Sequence, residues 1–86
     1  MNIKFYTFPQ ILDEIYHELF FLLVDSIDEE TDYINISKFF VKASGSESKE
    51  LAIEFITILK MEEIIFEHNN HNFIFSNKYY ETENIA

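Results

Sequence analysis

EFITILKMEEIIFEHNNHNFIFS, residues 54–76, decides how the rest of the chain is read. Its first part carries apolar residues at helical spacing and predicts a helix ending near Met61. Two apolar runs then flank Asn69-Asn70, a pair that tolerates the positive φ of a tight two-residue turn. Centring the turn there sets Phe66 opposite Phe73, Ile64 opposite Phe75, and Ile65 opposite Ile74. Both faces of the hairpin are then apolar. One covers the helices, and the other, with Ile65 and Ile74, needs a lid, a further strand or a partner.

Upstream, the same helix has Leu51, Ala52, Phe55, Ile58 and Leu59 on its inner side. Glu50, Ile53, Glu54, Thr57 and Lys60 fall outward. Ser44 with Glu47 has capping-box spacing, and Ser46 offers another start. Ser37 can cap a short helix through Lys42, with Phe39, Phe40 and Val41 packing inward. Tyr33 to Ile36 alternates and is β-branched, which predicts a short strand. A long first helix is expected from Gln10 to about Ile27, with Pro9 at its start and Asp13 and Glu14 in its first turn. Of the adjacent Phe20 and Phe21, one is expected in the core and the other partly covered. Ile3 to Phe8 reads as a strand or an extended lead-in, and residues 78–86 as a frayed tail. The result is one α+β domain spanning residues 1–86: three helices, a short strand after the first, and a C-terminal hairpin. That order is the winged-helix topology, the hairpin being the wing.

Charge bears on what such a layout can do. The chain has 6 Lys, no Arg, and 16 Asp plus Glu, for a net charge of −10. The imbalance is local: Asp13, Glu14, Glu18, Asp25, Asp28, Glu29, Glu30 and Asp32 lie in a stretch with no Lys or Arg. Phosphate binding depends on Lys and Arg displacing counterions, and Arg is the usual reader of guanine edges. Direct nucleic-acid binding is therefore not expected. The longest apolar run, Leu19 to Val24, falls far short of the ~20 residues a membrane span needs. No signal peptide is visible, and the absence of Cys fits a reducing cytosol, so a cytoplasmic protein is expected.

Few residues suggest chemistry. His68 and His71 flank the predicted turn as opposite neighbours with Glu67 beside them, but a third well-placed ligand is not evident. His17 lies beside Glu14 and Glu18 without a pocket or a substrate grip, and reads as a solvated helix histidine. Gly45 stands alone, so no phosphate-binding loop exists, and the serines at 44, 46 and 48 read as caps. The expectation is a non-enzyme with no cofactor and no metal.

Residues 48–76 resemble the C-terminal winged-helix domain of kleisins, the subunits that bridge the heads of SMC chromosome-organising ATPases. That family shows a basic residue, an Ala pair, a Phe three on, a Leu-rich helix end, an apolar strand, a Gln and an aromatic-x-acidic-Ile strand. Lys49, Ala52, Phe55 and Leu59 fit it. Leu51 replaces the first Ala, His68 stands near the Gln, and Asn72-Phe73-Ile74 lacks the acidic residue. The resemblance implies docking on an ATPase head, with no catalysis by this chain.

Two functional expectations follow. The first is a protein-interaction module that meets a partner through the hairpin face of Ile65 and Ile74. The second is a small phage or mobile-element anti-defence inhibitor of a nucleic-acid-binding protein. Its candidate surface is Glu14, Glu18, Asp25, Asp28, Glu29, Glu30 and Asp32, carboxylates standing in for phosphates against a basic partner. Homodimerisation through the hairpin face can accompany either.

Overall fold

The computed structural model describes residues 2–84. Strand β1 (Asn2–Tyr6) is followed by a 3-10 turn over Glu14–Tyr16 and helix α1 (His17–Val24). A two-residue strand β2 (Ile34–Asn35) leads directly into α2 (Ile36–Ala43), and then comes α3 (Lys49–Met61). The hairpin β3 (Ile65–Glu67) and β4 (Asn72–Phe75) follows, then a 3-10 turn over Asn77–Tyr79 and a last strand β5 (Tyr80–Asn84). The main sheet is antiparallel in the order β2-β4-β3, and β1 pairs with β5 in a separate two-stranded ribbon. Three helices, a strand after the first, and a hairpin after the third make a small winged-helix-like α+β domain.

The long first helix expected from Gln10 to Ile27 is shorter than its periodicity implies. Asp13 accepts a hydrogen bond from the Ile15 N–H and caps the chain there, while Leu12 closes a turn onto the Pro9 carbonyl. At the other end, the buried Ser26 hydroxyl donates to the Leu22 carbonyl at 2.7 Å and competes with the helical ladder. Ile27 then leaves the helix to bridge Ile34.

The two later helices start on different caps from those read in the sequence. Asn35, not Ser37, accepts from the Lys38 N–H, and Ser48, not Ser44 or Ser46, accepts from the Leu51 N–H. Consecutive helical residues point about 100° apart, so Phe39, Phe40 and Val41 cannot all face inward. Phe39 is fully buried, Phe40 is half-buried, and Val41 is exposed. The inner and outer faces of α3 fall where the spacing places them, with Ile56 added to the core. Glu63 turns the chain out of α3 in the left-handed region, at φ 56°, while Ile64 N–H bonds back to the Leu59 carbonyl at 2.9 Å.

The hairpin register differs by one residue from the two-residue turn. Ile65 pairs with Phe75, Phe66 with Ile74, and Glu67 with Phe73. Asn69 is the cause. Its side-chain oxygen accepts from the N–H groups of both His71 and Asn72, which closes a three-residue turn over positions 69–71. Because side chains alternate along a strand, the slip exchanges the faces. Ile65 moves into the core at 1% exposure, and Phe66 takes its place outside beside Ile74.

The core gathers around Phe39 and Phe55, with Leu19, Leu23, Ile34, Leu59, Ile64 and Ile65 fully enclosed. Phe55 stacks on Tyr16 at 5.4 Å between ring centroids and lies 6.1 Å from Phe39. As expected, Phe20 is buried and Phe21 exposed.

The tail expected at 78–86 is ordered structure through residue 84, and positions 85 and 86 lie outside the described residues. Tyr80 pairs with Tyr6, and the ladder runs to Asn2 with Asn84. Tyr6 anchors this ribbon to the domain, packing on Phe75 at 4.9 Å, and Thr7 N–H extends the pairing to the Tyr79 carbonyl at 2.8 Å.

Candidate functional site

Three surfaces carry the residues singled out by sequence. On the first, the outer side of α3, Glu50, Ile53, Glu54, Thr57 and Lys60 are all exposed. A duplex-reading winged helix places several cations or amides there; this one presents two carboxylates, an isoleucine, a threonine and a single lysine.

Glu54 is also structural. The Tyr16 ring is buried, and its hydroxyl donates to Glu54 Oε1 at 2.5 Å. Ionising the phenol would set two anions against each other, so the carboxylate first, and burial second, push the Tyr16 pKa up to about 12. Burial raises Tyr6 as well, and the hydrogen bond to Asp32 raises Lys4. All three groups hold their protons more tightly in the folded chain than in the unfolded one. Their stabilisation is complete below the unfolded values and is lost as pH climbs through the folded ones. The urea midpoint is expected to fall between pH 10.0 and about 12. Tyr16→Phe should flatten part of that fall and cost ~1 kcal/mol at neutral pH from the lost hydrogen bond. A midpoint unchanged across that window would contradict this account.

The second surface is the outer face of the hairpin. Phe66 is 44% exposed and Ile74 37%, and they are direct cross-strand partners. Of the pair read from sequence, Ile74 is therefore on this face and Ile65 is not. The same slip separates the histidines. His68 lies opposite Asn72 and packs on Tyr33 at 4.2 Å, while His71 sits within the turn.

The third surface is acidic. Asp28 begins a tight turn: its N–H bonds to the Tyr33 carbonyl at 2.8 Å, and its carboxylate accepts from the Glu30 N–H at 2.8 Å. Asp32 adopts φ 62° within it. The turn projects Asp25, Asp28, Glu29, Glu30 and Asp32 into solvent together. Asp25, Glu29 and Asp32 line a groove of about 1050 Å3 between the turn and the terminal ribbon. Asp28 and Glu30 face a neighbouring hollow of about 530 Å3. Glu14 and Glu18 are exposed but line neither.

No family model, curated protein or solved structure matches this chain. Among the described residues, no helix is long and apolar enough to cross a membrane. Sequence reasoning missed the far wall of the groove, made by Lys4 and Tyr6 of β1 with Tyr80 and Thr82 of β5. The local signal is weak: Ile3 and Phe5 alternate with polar residues in the first segment, but Tyr80 to Asn84 has no hydrophobic face to announce a partner.

Proposed function

We propose that this chain is a non-enzymatic, acidic, winged-helix-like module that works by binding another protein. One observation carries the reading. Where a duplex-binding winged helix presents several cations, the outer face of α3 presents Glu50, Ile53, Glu54 and Thr57 with one cation, Lys60, held over the Phe73 ring, and the hairpin presents Phe66 with Ile74. Carboxylates there repel phosphate, whereas an apolar pair rimmed by charge has the composition of a protein interface. The kleisin-like residues Lys49, Ala52, Phe55 and Leu59 suggest one form of it, docking on an SMC-type or other nucleic-acid-associated ATPase. A homodimer formed through the same hairpin face is compatible with that role.

The test is cross-linking mass spectrometry with the full chain as bait in its native host, then affinity measurement with the captured partner. Phe66→Ser with Ile74→Ser should weaken that complex at least ~10-fold, since the centre of an interface carries most of its energy. Tight, salt-sensitive binding to duplex DNA without any protein would sink the reading.

A second reading is favoured by the five exposed acids at 25–32, which share their two hollows with only two lysines, Lys4 and Lys38, of which Lys4 is ion-paired. In it the chain blocks a nucleic-acid-binding protein, as an anti-defence inhibitor from a phage or mobile element would. Reversing Glu14, Glu18, Asp25 and Asp28 to Lys separates the two. It should abolish blocking by charge and leave docking through Phe66 and Ile74 within a few-fold.

A further inference from the structure

The groove between the terminal ribbon and the acidic turn is mixed in character. Its floor is apolar, with Val24 at the end of α1, Ile27 just beyond it, and the rings of Tyr6 and Tyr80, whose centroids are 5.6 Å apart. Its rim carries three carboxylates, Asp25, Glu29 and Asp32, against one cation, Lys4. Lys4 is already committed: its Nζ lies 2.9 Å from Asp32 and 4.6 Å from the Tyr80 ring centroid. Among the described residues this is the one ion pair, so Asp25 and Glu29 have no cationic partner.

Lys4 shows what the groove accepts. An ammonium sits between a carboxylate and an aromatic face, within the ~6 Å over which a ring quadrupole attracts a cation. Asp25 and Glu29 repeat the carboxylate half of that arrangement over the same apolar floor. The groove volume, about 1050 Å3, reaches the upper end of ligand clefts, ~300–1,000 Å3. A concave cleft of that size suits an extended segment better than the convex face of a globular domain. Phosphates are repelled by the rim, which excludes a nucleic-acid strand.

We infer that this groove binds an extended segment of a partner protein bearing arginine or lysine. Two basic side chains of the segment pair with Asp25 and Glu29, and their stems lie on Ile27, Tyr6 and Tyr80. The inference rests on the protein-binding reading above and gives it a second contact surface and a partner chemistry.

The test uses the full chain and a fluorescein-labelled seven-residue peptide of alternating arginine and valine, read by fluorescence anisotropy at low and moderate salt. A peptide with glutamate in place of arginine, and a duplex DNA of matched label, are the controls. Asp25→Asn with Glu29→Gln should weaken binding at least tenfold. Glu14→Gln with Glu18→Gln removes the same charge outside the groove and should change binding less than twofold. Thr82→Arg, which places a guanidinium in the groove in cis, should weaken binding without removing any acid. It therefore keeps the test decisive if the first double variant folds poorly. Equal weakening by the two double variants would overturn the groove while leaving a diffuse basic-partner attraction standing. No binding by the unaltered chain would overturn it outright. Tight binding of the duplex control would instead overturn the protein-binding reading itself.

Discussion

Phe55→Ala is expected to lower unfolding free energy by about 3–5 kcal/mol, the usual cost of emptying a buried phenylalanine site. The ring is fully enclosed, stacks on Tyr16, and approaches Phe39, so its removal loosens α3 from both α2 and the 3-10 turn before α1. A small domain has a total stability of only ~5–15 kcal/mol, so much of the margin goes with one side chain. Urea denaturation followed by far-UV circular dichroism should show it, with Tm lowered by roughly 15 °C or more. A change below ~1 kcal/mol would mean that Phe55 is not the hub described here.

Ile65→Lys and Ile74→Lys should differ as sharply as two neighbouring substitutions can. Ile65 is 1% exposed and packs in the core, where an unpaired ammonium has no partner. Its replacement should cost about 4 kcal/mol or more. Ile74 is 37% exposed and loses mainly its cross-strand contact with Phe66, a loss below ~1 kcal/mol. In the register with a two-residue turn at Asn69-Asn70, the two would share a face and respond alike. Matched stabilities for the two variants would therefore restore that register.

The same contrast shows where sequence reasoning succeeds. The inner face of α3 was legible because Ala52, Phe55 and Leu59 repeat at 3.6-residue spacing, and one period fixes one face. The order of elements that defines the fold followed from similar patterns. The hairpin was legible as a hairpin but not in register. Its strands are apolar on both faces, so alternation could not arbitrate, and the decision passed to one Asn69 side chain bonding two backbone amides. The start and end of α1 were hidden for a related reason. Asp13 and Ser26 redirect the backbone through local hydrogen bonds while the apolar spacing runs on past them. For the candidate groove, the acids were visible as a charge run, but the ribbon opposite them depends on pairing across almost the whole chain. No local pattern records that.

The ribbon also determines how the molecule answers a pull. Asn2 and Asn84, the outermost pair, lie side by side at one end of two antiparallel strands. Tension on the two chain ends therefore meets the cross-strand hydrogen bonds one pair at a time, because those bonds run perpendicular to the strands. The ribbon opens as a zip fastener does, from Asn2–Asn84 towards Tyr6–Tyr80, and no step loads the bonds together in shear. The load reaches the acidic turn through the Lys4–Asp32 pair, and the core only when Tyr6 is drawn from its contact with Phe75. Tethered at both ends, the domain would yield first at the groove wall and last at its core.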